Sequence, residues 1–182
     1  MGRRGKMKII SGGQTGADRA ALDAAIQLGL PHGGWLPRGR KAEDGPLPRR
    51  YQLRETESAR YRERTEKNIV ASDATLIIAL GPLTGGSALT ESLALRHDRP
   101  CLTLDLAEVD QAAAVTAVER WLERHAIRIL NVAGPRASTT PNIYAAALAL
   151  LLAINWPGIK STGAPEPSPK KPAAEKLLPS RR

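Results

Sequence analysis

The sequence predicts an α/β domain of three layers, in which a mostly parallel sheet of about five strands lies between helices. Short apolar segments with strand character alternate with segments that carry apolar residues at helical spacing. The clearest strand, Asp73–Leu80, is apolar on both faces, as expected of a central strand in a parallel sheet. Together these observations indicate a Rossmann-like domain with right-handed crossover helices.

The first elements are a strand over Met7–Ile10 and a helix over Ala17–Leu28, joined by a glycine-rich turn. Such a turn directs backbone N–H groups and the positive end of the helix dipole to one point, which favours an anion such as phosphate. Its glycine spacing is neither that of a P-loop nor that of a dinucleotide-binding loop. The candidate ligand-binding residues of this turn are Gly12, Gly13, Gln14, Thr15 and Gly16.

Two alternatives remain open for this first turn. The turn could serve only to pack the helix onto the sheet. Thr15 and Asp18 also have the spacing of a capping box, in which both side chains would satisfy backbone groups at the helix start.

A long loop rich in Gly, Pro and charge, Arg38–Tyr51, follows a short second strand within His32–Pro37. Loops of this length in compact domains are usually functional or disordered. Arg40, Glu43 and Asp44 are therefore candidates for contacts with a ligand over which the loop folds, and the alternative is a solvated loop.

The rest of the domain continues the alternation of strands, turns and helices. In chain order we predict an extended segment at Gln52–Thr56, a helix at Tyr61–Ser72, the strand Asp73–Leu80, a turn at Gly81–Ser87, a helix at Ala88–Arg96, a strand at Pro100–Asp105, a helix at Gln111–His125, a strand at Arg128–Val132, a turn at Ala133–Pro141 and a helix at Asn142–Asn155.

Like the first turn, the turns at Gly81–Ser87 and Ala133–Pro141 follow strands. The carboxyl ends of parallel strands lie at one edge of a sheet, so we expect the three turns to form one ligand pocket. Hydroxyl groups and exposed glycine backbone at a helix start suit an anion, and an arginine after a strand suits phosphate. The candidate binding residues here are Thr84, Gly85, Gly86, Ser87, Thr90, Arg136 and Ser138. The alternative for Arg136 is a solvated loop position.

Glu91 lies one turn into the helix that follows the second of these turns. A carboxylate at that place is a candidate general acid or base, or a partner for a hydroxyl or amine of a ligand. The alternative is that Glu91 only complements the helix dipole.

The formal net charge of +9 is concentrated at the two ends of the chain. Residues 1–8 and residues 160–182 each carry a net charge of +4, so that the segment between them is near neutral. This distribution argues against a specific nucleic-acid partner, since no basic patch belongs to the domain. We predict a flexible basic N-terminus over residues 1–6, a single domain over residues 7–156 and a disordered Pro- and Lys-rich tail over residues 157–182.

Several classes of protein are excluded by what the sequence lacks. With a single cysteine, Cys101, it has no disulfide framework, and its three histidines do not have the spacing of metal ligands. We therefore expect no metal held by the protein. The sequence shows neither the apolar core of a signal peptide nor a membrane-spanning segment, so we predict a cytoplasmic protein with no membrane partner.

Four motifs together resemble the molybdenum-cofactor carrier family. They are Ser11–Asp18, Gly34–Gly45 with its Ala-Glu-Asp-Gly segment, Gly85–Ser87 with Thr90 and Glu91, and Asn131–Arg136. That family belongs to the SLOG superfamily of Rossmann-like nucleotide-binding domains. The resemblance covers residues 7–155. It implies a homo-oligomeric carrier, a dimer or tetramer, with a pocket for a phosphorylated pterin or nucleotide-derived ligand, and molybdenum cofactor as the carried molecule.

The same superfamily contains the lysine-decarboxylase-like phosphoribohydrolases, whose motif is P-G-G-x-G-T-x-x-E. The segment Pro82–Glu91 has the proline, a threonine and the acid, but its glycine spacing differs. This similarity leaves two alternatives to the carrier. One is a nucleotide N-glycosidase that acts on nucleoside monophosphates with Glu91 as acid or base, assisted by Arg40 or Arg136. The other is a nucleotide-sensing domain.

Overall fold

The computed structural model describes residues 6–157 of the chain. Its elements are, in order, β1 (Lys8–Ile10), α1 (Ala17–Gln27), β2 (His32–Gly33), β3 (Trp35–Leu36), β4 (Lys41–Ala42), β5 (Gly45–Pro46), β6 (Arg54–Glu55), α2 (Tyr61–Val70), β7 (Ala74–Ala79), α3 (Gly85–Arg96), β8 (Cys101–Asp105), α4 (Gln111–His125), β9 (Ile129–Ala133) and α5 (Ile143–Ala153). The predicted N-terminal segment and the predicted tail lie, apart from residues 6 and 157, outside this range.

The central sheet has five strands in the order β2-β1-β9-β7-β8, and every neighbouring pair is parallel. The last strand of the chain, β9, therefore lies between β1 and β7. All six residues of β7 are buried, as its apolar sequence predicts for a strand covered on both faces.

Helices cover both faces of the sheet, which confirms the predicted Rossmann-like, three-layer α/β fold. On one face, α1, α4 and α5 share the largest apolar cluster with alternate strand residues such as Leu76 and Ile78. Three alanines of α1, Ala20, Ala21 and Ala24, are fully buried, because their small side chains let the helix lie close to its neighbours. On the other face, α2 and α3 pack through Ile69, Leu93 and Ala94.

The segment predicted as a long loop contains an antiparallel hairpin of β4 and β5, and β3 pairs with β6 in the extended segment that follows. A separate cluster of Leu22, Leu36, Leu47, Tyr51 and Leu53 fastens this region to α1. The prediction of a long loop at residues 38–51 therefore missed the hairpin of β4 and β5, which the burial of Leu47 and Tyr51 helps to hold in place.

Helix boundaries differ from the prediction mainly at α3, which begins at Gly85 and not at Ala88. The two glycines are thus the first residues of the helix, and Thr84 is its N-cap. Within the range that the structure describes, no helix is both long and apolar enough to cross a membrane.

Candidate functional site

A cavity of about 260 Å³ lies at the carboxyl edge of the central sheet. The three turns predicted to form the ligand pocket follow β1, β9 and β7. These strands are adjacent in the sheet, so the turns lie side by side. Seven of the predicted site residues are in the cavity wall: Gln14, Thr84, Gly85, Gly86, Ser87, Thr90 and Arg136. The edge at which parallel strands end is the usual ligand crevice of such folds.

The N-terminus of α3 opens into this cavity. Among the described residues, none accepts a hydrogen bond from the N–H of Gly85 or of Gly86, and the Thr84 side chain makes no capping bond. A Cβ atom placed on Gly86 would meet nothing within 4 Å, so there is open space in front of the backbone. Free N–H groups and the helix dipole make this helix start a site for an anion.

Ser87 adds a hydroxyl donor beside these N–H groups. The residue is only 4% exposed and lines the cavity, yet its hydroxyl has no hydrogen-bond partner in the described part of the chain. Thr90, by contrast, donates its hydroxyl to the carbonyl of Gly86 at 2.8 Å. The Ser87 hydroxyl is therefore free to hydrogen-bond with a ligand or water in the cavity.

The first glycine turn is mostly closed by the protein's own groups. The place where a Gly12 side chain would lie is filled by Arg64, whose Nη1 would be 1.7 Å from an added Cβ. Gly16 has φ 75° and lies 2.3 Å, by the same measure, from the carbonyl oxygen of Pro135. Of the five residues predicted to bind ligand here, only Gln14 lines the cavity.

The capping-box alternative for this turn was wrong. The N-cap of α1 is Gly16, which has no side chain to cap with. Thr15 accepts from the backbone N–H of Ala137 at 3.1 Å and hydrogen-bonds with Glu43. Asp18 accepts from the N–H of Gln14 at 3.3 Å. Thr15 therefore joins separate segments of the chain, and Asp18 does so through a further hydrogen bond from Arg64.

Asp18 and Arg64 form a buried ion pair in the cavity wall. The Arg64 Nη1 lies 3.0 Å from the Asp18 Oδ2, and the two side chains are 13% and 4% exposed, respectively. Burial raises the pKa of Asp18, and the positive charge of Arg64 opposes that rise. The guanidinium group holds its place because it packs on Gly12 and pairs with this carboxylate.

Glu43 joins the hairpin of β4 and β5 to the first glycine turn and to the turn that follows β9. Its carboxylate hydrogen-bonds with the hydroxyls of Thr15 and Ser138 and accepts from the Ser138 N–H at 3.2 Å. Burial acts to raise the pKa of Glu43, but the hydrogen bonds from Ser138 and Thr15 outweigh it and hold the pKa below its usual range. Arg136 Nη1 lies 3.9 Å from the same carboxylate.

Asp44 and Arg40 also have structural partners. Asp44 forms a two-pronged pair with Arg19, with both oxygens 3.1 Å from guanidinium nitrogens. The guanidinium of Arg40 donates to four backbone carbonyls, those of Leu47, Pro48, Tyr51 and Leu53. Neither residue lines the cavity. The structure therefore does not place Arg40 or Asp44 where the predicted contacts with a ligand in this cavity would require them.

Glu91 is directed away from the cavity. Its Oε1 accepts a hydrogen bond from the Thr103 hydroxyl on β8 at 2.8 Å, and the residue is absent from the cavity wall. A catalytic role for Glu91 therefore stays a prediction without geometric support.

Nine residues of the wall were not assigned to the site from the sequence, and the five with polar side chains are Asp18, Tyr61, Arg64, Thr65 and Thr139. The sequence around Arg64 looks like the solvated face of a helix, and only the packing of α2 against the first turn shows that this arginine is buried. In the part of the chain that the structure describes, no cluster of His, Cys, Asp and Glu is arranged to hold a metal ion.

The fold and the edge cavity define a Rossmann-like domain with a ligand crevice at the carboxyl edge of its sheet. The chain belongs to the circularly permutated YpsA SLOG family, whose profile matches residues 9–155. Among solved structures it is similar to a protein described as "Putative molybdenum carrier protein", from Syntrophus aciditrophicus SB. The identity is 53%, the TM-score is 0.79, and the match covers 80% of this chain and 92% of that one. No curated protein matches the chain. These findings confirm the resemblance drawn from the motifs.

Proposed function

We propose that this protein is a carrier for molybdenum cofactor or a related phosphorylated pterin or nucleotide-derived ligand, bound in the cavity at the carboxyl edge of the sheet. The single observation that carries the proposal is the open N-terminus of α3 in the cavity wall. The name of the similar structure from Syntrophus aciditrophicus, a molybdenum carrier, supports the choice of cargo.

In this proposal the phosphoryl group of the ligand lies at the start of α3. The N–H groups of Gly85 and Gly86 and the hydroxyl of Ser87 are the donors, and the helix dipole stabilises the negative charge. Arg136 supplies a countercharge at the rim, where its side chain is 49% exposed. Ser138 keeps its hydrogen bonds to Glu43 and acts through the hairpin, not on the phosphate.

The N-glycosidase alternative requires a carboxyl group at the bond that breaks. Glu91 is instead hydrogen-bonded to Thr103 and lies outside the cavity wall, so the geometry favours binding without hydrolysis. Assembly into a homo-oligomer and a location in the cytoplasm stay predictions, which native mass spectrometry and cell fractionation can test.

Two substitutions test the phosphate site by calorimetric titration with a phosphorylated pterin. Gly86→Val adds bulk in front of the free N–H groups without a clash inside the protein, because the space beside that backbone is open. We expect it to weaken binding by about tenfold or more, which corresponds to a loss of about 1.4 kcal/mol. Ser87→Ala removes one hydrogen bond, and we expect a loss of about threefold to tenfold.

Ser92→Val is the matched control, since Ser92 is an exposed residue on the same helix outside the cavity wall. The control should bind as the unaltered protein does. If Gly86→Val and Ser87→Ala both leave the affinity unchanged, the phosphate does not bind at the start of α3. Chromatography of nucleoside monophosphates after incubation with the protein tests the alternative, because release of free base that is lost in Glu91→Gln indicates an enzyme.

A further inference from the structure

Gln14 and Arg64 line a part of the cavity that we call the inner wall, separate from the start of α3. Both side chains carry hydrogen-bond donors. Gln14 is 8% exposed, and its Oε1 accepts from the N–H of Thr15 at 3.0 Å and from the N–H of Glu43 at 2.8 Å. Both partners are donors, so they fix which end of the amide is the oxygen. The Nε2 group, which has no protein acceptor among the described residues, is left for the cavity that Gln14 lines.

Arg64 contributes further donors from the same wall. Of its guanidinium N–H groups, only those on Nη1 have an acceptor among residues 6–157, the carboxylate of Asp18. The Nε atom is buried and has no partner. Tyr61 also lines the cavity, and the Arg64 Cζ lies 5.9 Å from the centre of its ring. The inner wall therefore combines donors with one aromatic side chain.

The charge of this wall distinguishes it from the start of α3. Asp18 lies 3.0 Å from Arg64 and balances its positive charge, and the amide of Gln14 is neutral. A wall of donors without net charge favours an uncharged acceptor, such as a carbonyl oxygen, over a second phosphate. Nη1 of Arg64 is bound to Asp18 and Nε is buried, so the donors left for the cavity are Nη2 of Arg64 and Nε2 of Gln14. Two such donors suit two adjacent acceptors, such as the carbonyl oxygen O6 and the ring nitrogen N7 of guanine.

We infer that Gln14 and Arg64 form a subsite for the edge of a heterocycle on which a carbonyl oxygen lies beside a ring nitrogen that carries no hydrogen. The inference rests on the proposed function and names the class of its ligand. Pterins, guanine and hypoxanthine present this edge, whereas adenine presents an amine donor in place of the carbonyl. Glu43, through its backbone N–H, and Asp18 are positioning residues that orient Gln14 and Arg64.

Titration calorimetry with guanosine monophosphate, adenosine monophosphate and inorganic phosphate tests this subsite on the full chain. The two nucleotides share the sugar and the phosphate, so their affinity ratio reports the base alone. We expect guanosine monophosphate to bind about tenfold tighter or more, as a good bidentate pair discriminates between bases. Arg64→Lys keeps the positive charge but removes the Nη2 donor, and Gln14→Glu keeps both backbone contacts but replaces the NH₂ donor by an acceptor. Each should reduce the preference to less than about threefold.

Arg62→Lys is the matched control, because Arg62 is exposed on the same helix and does not line the cavity. It should keep the full preference, and thermal unfolding should show that all three variants are folded. Equal binding of the two nucleotides, tighter binding of the adenine nucleotide, or a preference that survives in both Gln14→Glu and Arg64→Lys would each overturn the proposed subsite. Binding of inorganic phosphate without either nucleotide would overturn it too. If neither a nucleotide nor inorganic phosphate nor a phosphorylated pterin binds, the proposed function fails as a whole.

Discussion

Gly12 is required, on this structure, because Arg64 occupies the space of its side chain. An added Cβ would lie 1.7 Å from Nη1, 2.3 Å from Cζ and 2.7 Å from Cδ of that arginine. Since three atoms of one side chain are too close, a small shift does not relieve the clash. In Gly12→Ala the guanidinium must leave its place, and the Asp18 carboxylate, only 4% exposed, loses its partner.

The expected loss of stability follows from these two facts. Breaking a buried pair by displacing one partner costs about 3–5 kcal/mol, and the 13% exposure of Arg64 points to the lower end. Replacing glycine by alanine restricts the unfolded chain and offsets about 0.4–1 kcal/mol. We therefore expect Gly12→Ala to lower the free energy of unfolding by about 2–4 kcal/mol, and the Tm by about 5–15 °C.

Urea unfolding followed by circular dichroism measures this loss, and a double-mutant cycle identifies its cause. Once Arg64→Ala has removed the guanidinium, Gly12→Ala should cost less than about 0.5 kcal/mol, so that the two substitutions are strongly non-additive. Gly86→Ala is the control, because its added methyl group meets nothing within 4 Å and should change stability by less than about 0.5 kcal/mol. Additive costs in the cycle, or a Gly12→Ala variant as stable as the unaltered protein, would refute this account of the first turn.

Three further outcomes are expected. Arg40→Lys should lower the free energy of unfolding by about 1–3 kcal/mol and speed proteolysis of residues 38–53, since lysine cannot reach the four carbonyls that the guanidinium holds. The pKa of Glu43 is lowered in the folded state, so the stability that its charge contributes is present above the ordinary carboxyl pKa and lost in acid. The difference in free energy of unfolding between the protein and Glu43→Gln should therefore shrink as pH falls from about 6 to 3. Burial and Asp23 raise the pKa of Tyr144 to about 12, so the stability that the protonated phenol contributes is complete below the ordinary tyrosine pKa and lost at higher pH. The difference in free energy of unfolding between the protein and Tyr144→Phe should therefore shrink as pH rises above about 10. Unfolding curves across each pH range check the last two, and a constant difference would contradict them.

Local pattern was sufficient for the elements whose sequence is unambiguous. The helix Gln111–His125 has the predicted boundaries, and the strand predicted at Asp73–Leu80 is the fully buried β7, Ala74–Ala79. The start of α3 was missed because two successive glycines have low helix propensity, whereas the connection from β7 fixes the helix to begin at Gly85. The hairpin at residues 41–46 was missed because two-residue strands have no readable alternation.

The site was predicted in outline and not in detail. That three turns would share one edge follows from parallel strands, and the order β1, β9, β7 makes the turns neighbours. Which turn has free N–H groups depends on what packs on it. Arg64 and Pro135 close the first turn, whereas no atom of the described residues lies within 4 Å of a Cβ added to Gly86. Arg64 and Gly12 are 52 positions apart in the sequence, so the packing of Arg64 on Gly12 could not be predicted from either segment alone.

The sequence alone determined the alternation of strands and helices, the glycines that follow strands, and the family to which the chain belongs, because these are properties of short segments. The tertiary structure alone decided which arginines line the cavity. Arg40 is held by carbonyls and Arg19 by Asp44, whereas Arg136 lies at the rim beside Glu43 and Arg64 reaches the inner wall through the packing of α2 on the first turn. The physical reason is that the position of a charged side chain depends on partners distant in the sequence, and those partners come within reach only when the helices and the sheet pack together.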